Sequence, residues 1–374
     1  MKVLHVISDS NVGGAGVLLT SLLRHFDTAR VQSVVALPRD SALTERIAPL
    51  GVPIRFLNYR ADRPSLRSVG ELSDILRADK IDIVHANAAI NARIAGRHCH
   101  RSVVFTRHCC YPPTALWRLP TVQRLGGYWN NALCDCAVAT AFAARDDLCR
   151  LGVDERRISV IINGAEEVRE VSKDELEAAR EAWGIAPNAF VVGICARLEA
   201  CKGHETFLRA AQSVLKQTER EVCFLIVGEG SRRAALESLV RTLGIGAKVR
   251  FTGFLLDVAP AYRMMNLNVN CSSGTETSCL AISEGMSASV PAIVSDYGGN
   301  RAMVGDSLAG RIYPVGDAEA LADAILAVLD KPALEARMRK AARSRYLQAF
   351  SPVRMTEELT KIYEGMACVA CNAK

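Results

Sequence analysis

The chain has 374 residues, a formal net charge of +6, and 49% hydrophobic against 23% charged residues. That length holds two domains of ordinary size, and the composition excludes a disordered chain. The charge is too mild for a nucleic-acid binder, and no basic run is interleaved with aromatics; it suits an anionic substrate or loose contact with an anionic membrane surface.

Residues 3–8 read as a buried strand, followed by Gly13, Gly14, Ala15 and Gly16 and then a helix with the stripe Leu18, Leu19, Leu22, Leu23 and Phe26. The first eight residues lack the long apolar region and cleavage site of a signal peptide, and no apolar run reaches the ~18 residues of a bilayer span. The expected location is therefore cytoplasmic, with at most peripheral contact at the inner face of the membrane. A glycine turn between strand and helix lets backbone amides approach an anion or a sugar, although ligand-free βα turns also use it.

Alternation continues with strands at 31–37, 54–57, 81–86, 103–107, 134–140 and 158–162, and helices at 41–50, 66–77 and 141–151. The strand at 103–107 ends on His108, which is either a structural histidine or a group at the ligand-binding edge. An apolar, proline-broken stretch at 111–125 reads as a mobile or amphipathic segment near an acceptor site. Alternating strands and helices imply a parallel, doubly wound sheet.

At 166–183 the composition turns charged, and Ser172 to Glu175 is a capping-box pattern. Residues 164–171 read as the linker between domains. The alternation then restarts with a strand at 190–196, Arg197 at its end and Lys202 at the next helix start. A planar fork and a point charge beside helix amides make a diphosphate clamp, or they are two solvated cations. Strands follow at 222–227, before Gly228, and at 248–252, before Gly253 and Phe254.

The stretch 272–300, SSGTETSCLAISEGMSASVPAIVSDYGGN, follows a strand at 267–271. Thr277 and Ser278 are expected to open a helix in which Leu280, Ile282 and Met286 face a core, with the next strand at 291–294. Such a unit presents free amides and a positive dipole end at the carboxyl edge of a sheet. Glu276 and Glu284 would then lie roughly 12 Å apart along one helix axis. They would hold two ends of a polyhydroxylated ligand, or else decorate a solvated helix. A stripe through Leu321, Ile325, Val328 and Leu329, a helix over 332–346, and a last helix capped by Ser351 and Pro352 complete the chain. Its 13 cysteines lie largely in apolar runs, as reduced core thiols do, and Cys368/Cys371 has no second pair to complete a zinc site.

The ordered set GGAG at 13–16, strand-end His108, IING at 161–164, R-x4-K-G at 197–203, VGEG at 227–230, FTGF at 251–254, E-x7-E at 276–284 and DYGG at 296–299 is similar to the retaining GT-B glycosyltransferases of family 4. The resemblance implies two Rossmann-like, doubly wound parallel-sheet domains facing an interdomain cleft. They would be an acceptor-side domain at 1–167, joined by the helix at 351–374, and a donor-binding domain at 168–350. It implies a catalytic set of His108, Glu276, Arg197 and Lys202. Arg197 and Lys202 would hold the diphosphate, Glu284 the ribose, and Glu276 with the amides of Thr277, Ser278, Cys279 and Leu280 the sugar. Gly228 and Phe254 would border the base, while Gly13, Gly14, Gly16 and Asn163 would reach the donor from the other domain.

A retaining, metal-independent transfer from a nucleotide sugar, most simply a UDP- or GDP-sugar, is implied, with no cofactor. The acceptor would be a carbohydrate or lipid-linked hydroxyl in surface polysaccharide or glycolipid assembly. Thr277, Cys109, Asn300 and Arg301 depart from the usual family residues and leave the donor sugar open. Two other readings use the same fold: a nucleotide-sugar 2-epimerase and a non-catalytic scaffold subunit.

Overall fold

This computed structural model describes residues 1–8, 13–59, 63–108, 119–274, 277–305 and 307–372, with side chains to residue 367. The chain divides into one unit of Met1–Ala165 with Pro352–Lys374, and a second of Glu166–Ser351.

The first unit runs β1 (Lys2–Ile7), α1 (Gly14–His25), β2 (Gln32–Pro38), α2 (Thr44–Ile47), β3 (Ile54–Leu57), α3 (Leu66–Ala78), β4 (Ile83–Asn87), α4 (Ile90–His98), β5 (Ser102–Arg107), α5 (Pro120–Ala132), β6 (Cys136–Ala139), α6 (Phe142–Arg150) and β7 (Ile158–Val160). The seven strands are parallel in the order β3-β2-β1-β4-β5-β6-β7, so the winding reverses between β1 and β4. Alternate residues of each strand serve opposite faces. Val3 of β1 packs with Leu18 and Leu22 of α1, while Leu4 and Val6 pack with Leu72 and Leu76 of α3. The sequence pattern shows no helix over α4, whose buried face is built from alanine, glycine, Asn91 and Arg93 instead of large apolar residues.

The second unit runs α7 (Lys173–Ala182), β8 (Phe190–Cys195), α8 (His204–Gln217), β9 (Val222–Val227), α9 (Arg233–Leu243), β10 (Val249–Gly253), α10 (Ala259–Met264), β11 (Leu267–Asn270), α11 (Leu280–Ser287), β12 (Ala292–Ser295), α12 (Asn300–Val304), β13 (Gly310–Tyr313), α13 (Ala318–Leu329) and α14 (Pro332–Ala349). Its six parallel strands take the same order, β10-β9-β8-β11-β12-β13, with the reversal between β8 and β11. The Ser172 hydroxyl accepts from the Glu175 amide at 3.2 Å as a cap. The Glu175 carboxylate pairs with Arg169 instead of closing the box. Phe190, Val192 and Ile194 of β8 face one core and Val191 the other. Of these elements, α10, α12 and β13 are too short for their periodicity to stand out.

The last helix, α15 (Pro352–Asn372), belongs to the first unit. Met355, Leu359 and Tyr363 pack with Val3, Leu18, Leu22 and Phe26. Beneath it lies a buried polar seam. The Tyr363 hydroxyl meets His85 Nδ1 at 2.6 Å, and His85 Nε2 meets Thr106 Oγ1 at 2.6 Å. His5 lies beside them, its ring 5.5 Å from that of His85.

Burial lowers His5 to about 3 and His108 to about 4, and lowers His85 as well. Unfolded, each imidazole takes up a proton near pH 6.5; folded, it does so only well below that. Stability of this unit should therefore be flat above about pH 7 and fall as pH drops from about 6.5 towards 4, by about 2 kcal/mol at pH 5 for each of His5 and His108, with His85 adding in the same direction. Calorimetric midpoints recorded across that range check this, and a flat profile between about pH 6.5 and 5 would refute it.

Candidate active site

In each open parallel sheet, ligands are expected outside the carboxyl ends of the strands at the point where the winding reverses. In the second unit, the residues that follow β8 and β11 meet at that point. Ala196 donates its amide to Val227 O at 3.0 Å, and Leu198 donates to Glu229 O at 2.9 Å. A 3₁₀ turn, Ala200–Lys202, then leads into α8 through Gly203, and the Ser273 amide donates to Cys201 O at 2.9 Å. The loop 197–203 is thus clamped between those that follow β9 and β11.

Two glycines make this approach possible. Gly228 has φ +137°, and a Cβ there would lie 2.1 Å from Ala196 O; Gly203 has φ +69°, and its Cβ would lie 2.1 Å from Cys271 O. Both obstacles are backbone, so neither can rotate away. Gly228→Ala is expected to lower stability by about 2–4 kcal/mol, read as a shift in urea midpoint. A variant as stable as the parent would refute this account of the loop.

Lys202 is half-buried and lines one small cavity together with Cys195, Ala196, Asn270, Ser272, Cys279 and Ala281. The same cavity is bordered by Ala281 and Ile282 in the first turn of α11, whose amides carry the positive end of the helix dipole. Next to it, burial and the Lys202 charge hold His204 down to about 4. Arg197 is exposed at the β8 end. Gly228 donates its amide to Gly253 O at 2.9 Å, which sets it beside Phe254, whose ring is 67% exposed.

The start of α11 corrects the sequence reading. Thr277 and Ser278 do not open the helix: both are buried in the preceding loop, with the Ser278 hydroxyl 3.7 Å from Met303 Sδ. Hydroxyl side chains compete with helical hydrogen bonding and favour such loops. Cys279 is the N-cap, its sulfur 3.0 Å from Asn270 Nδ2, and helical residues begin at Leu280. The amides of Leu280 and Ala281 thus head the helix, and Glu284 lies in its second turn. Glu276 itself lies outside the described residues.

Glu284 is half-buried within α11, and its Oε2 accepts from the Tyr262 hydroxyl at 2.9 Å. Burial pushes its carboxyl above the ordinary value. Tyr262 is fully buried on α10 and went unnoticed in the sequence, as did the residues that brace the loop. Asn300 Nδ2 donates to Asn270 Oδ1 at 3.1 Å and to Ser295 O at 3.2 Å, and the Ser295 hydroxyl donates to Ser272 O at 2.6 Å. Buried asparagines and serines at strand ends are the one signal that would have found this network.

In the first unit, the β1/β4 reversal carries the glycine turn. Gly13 caps α1, and Gly14 is open to its surroundings. Gly16 is a packing glycine: a Cβ there would strike Leu43 Cδ2 at 2.4 Å. His108 follows β5, with Nε2 2.8 Å from Asn87 Oδ1 at the end of β4. Its depressed pKa makes it neutral at neutral pH, a hydrogen-bonding imidazole instead of a cation. It borders a cavity with Ala88, Ala89, Arg93, Phe105 and Thr106. Asn163 is buried just past β7.

Two doubly wound parallel sheets, each with candidate groups at its reversal point, define the GT-B class of glycosyltransferase folds. A solved structure of Anabaena HepE in complex with UDP superposes with a TM-score of 0.85 over 98% of this chain and 100% of that one, at 22% identity. Residues 175–345 match the family model for glycosyl transferases group 1, and residues 12–169 match that for glycosyltransferase family 4. The chain belongs to glycosyltransferase family 4. It is 28% identical over 328 residues to EpsD of Bacillus subtilis, which bears a glycosyltransferase name, covering 84% of each chain. It is 26% identical over 319 residues to the Escherichia coli UDP-Gal:alpha-D-GlcNAc-diphosphoundecaprenol alpha-1,3-galactosyltransferase, covering 80% of each.

Proposed function

We propose that this glycosyltransferase transfers a sugar, with retention and without a metal ion, from a UDP- or GDP-sugar to a hydroxyl of a lipid-linked or growing carbohydrate acceptor. The observation that carries the reading is that Lys202 lines one small cavity with Ala281 and Ile282 of the first turn of α11, at the reversal point of the second sheet. Two cations and a helix dipole there would neutralise the charge that develops on a departing diphosphate. Glu284, held by Tyr262, would take the ribose hydroxyls, and Phe254 with Gly228 would border the base. Glu276 would face the reacting sugar with the amides that head α11, and neutral His108 would hydrogen-bond a sugar hydroxyl. Asn163, Gly13 and Gly14 would approach the donor from the first unit. The lipid-linked acceptor draws on the name of the Escherichia coli relative, and the nucleotide on the UDP held by Anabaena HepE.

A thermal-shift screen against UDP-, GDP-, ADP- and dTDP-sugars in EDTA tests the donor site. The expected result is a shift of several degrees for one nucleotide class, lost in Arg197→Ala and in Glu284→Ala. No shift with any of them in folded protein would overturn the assignment and favour a scaffold subunit. The anomeric configuration of the product, read by NMR, tests retention; an inverted product would overturn it. Transfer that requires an added divalent ion would overturn metal independence.

A further inference from the structure

The cavity beside His108 carries a positive charge that no carboxylate answers. It measures about 230 Å³, and Arg93 and Arg107 both line it. Arg107 is paired with Asp147 at 2.8 Å. Arg93, on α4, is only 5% exposed and has no ion-pair partner among the described residues. Its guanidinium lies over the Phe105 ring, 4.4 Å from the centroid, and donates to Asn130 O at 3.0 Å and to Asn130 Oδ1 at 3.2 Å. Asn130 is neutral, and it reaches Arg93 because α5 turns its polar side inward and leaves Leu125, Tyr128 and Trp129 exposed. Arg93 Nε is buried with no partner. The ionisable groups that act on Arg93 are Cys134, a thiol that burial pushes up and so keeps neutral, and Arg97, a like charge.

A second positive pole meets the first. Ala89 is the N-cap of α4, and no side chain caps the helix, so its first amides lack an acceptor. Ala88, just before it, holds φ +52°, a left-handed backbone that alanine adopts only at a cost. Ala88, Ala89 and Ile90 line the same cavity as Arg93. At the end of β4, Asn87 Oδ1 meets His108, while Asn87 Nδ2 is buried without a partner. A buried cation, an uncapped helix start and an orphaned amide are each unfavourable by themselves. An oxyanion would answer all of them, with oxygens for the guanidinium and for the helix amides. A cation or an apolar group would leave the donors unsatisfied.

We propose that this cavity binds an oxyanion, a phosphate or a carboxylate carried by the acceptor, through Arg93 and the first amides of α4. That the oxyanion belongs to an acceptor rests on the transfer reaction proposed above; the site itself does not. It lies in the first unit, whereas Arg197 and Lys202 belong to the second. The expectation drawn on residues 111–125 falls largely outside the described residues.

The test is calorimetric titration of the full chain with inorganic phosphate and with glucuronate. An Arg197→Ala, Lys202→Ala background keeps the cations of the second unit out of the measurement. Saturable binding is expected; tighter binding of phosphate identifies a phosphorylated acceptor, and tighter binding of glucuronate an acidic sugar. Arg93→Met removes the charge and should weaken binding at least about tenfold. Ala89→Asp places a carboxylate at the N-cap, where the extended backbone suits it, and should weaken binding as much by filling the helix pole. It decides the question should Arg93→Met not fold. Binding of neither anion by folded protein would overturn the proposal, as would parental affinity in either folded variant. The nucleotide-sugar shift of the parent is read separately, so a failed donor assignment and a failed oxyanion site are told apart.

Discussion

Transfer by an Arg197→Ala, Lys202→Ala double variant is expected to fall by about 10³ in kcat/KM or more, while the protein melts where the parent does. The two halves of that expectation have different origins. Arg197 is exposed and Lys202 half-buried, so neither side chain is part of the packed core that sets stability. Their cost would fall on the charge of the leaving diphosphate, in a site where each lost donor is worth about 10²–10³ in rate. Lys202→Ala alone should cost more than Arg197→Ala. The lysine shares a cavity with the start of α11, and the arginine faces solvent. Steady-state kinetics of the two single variants and the double separate these terms. Activity of the double variant within tenfold of the parent would remove both residues from the diphosphate site.

Tyr363→Ala is expected to destabilise the first unit by about 3–5 kcal/mol, from the loss of a fully buried aromatic side chain. The same change leaves His85 Nδ1, 2.6 Å from the Tyr363 hydroxyl, without its partner in a buried seam. Tyr363→Phe keeps the ring and should cost only about 1–2 kcal/mol. The surface contact of the same helix is a contrast. Arg30 bonds Glu357 at 2.7 Å and Glu364 at 2.8 Å, but these pairs are solvated, and Arg30→Ala should change little. Urea denaturation of the three variants gives the ranking; an Arg30→Ala effect as large as that of Tyr363→Ala would contradict it.

Both predictions depend on groups that the sequence shows with unequal clarity. Arg197 and Lys202 stand out because a cation at a strand end and another at a helix start mark a βα turn, a feature local to a few residues. Tyr363 reads only as one apolar position in a stripe, because its partner His85 is 278 residues away. Tyr262 was invisible for the same reason: its helix spans Ala259–Met264, too short for a period to emerge, and its contact with Glu284 is made by folding. The helix start at Leu280 was misread because Thr277 and Ser278 are common helix openers. What moved the boundary was their burial in the loop and the hold of Asn270 on Cys279.

By itself the sequence determined the class of fold and the family. Runs of apolar residues alternating with helical stripes leave few options besides parallel, doubly wound sheets, and the order of short motifs along the chain names the family. Only the tertiary structure decided which strands neighbour one another, and so which loops share a reversal point. It alone drew Asn270, Ser295 and Asn300 into one buried network, and turned the apolar side of α5 outward. Those outcomes rest on contacts between residues far apart in the chain, and such contacts leave no periodic trace in the sequence.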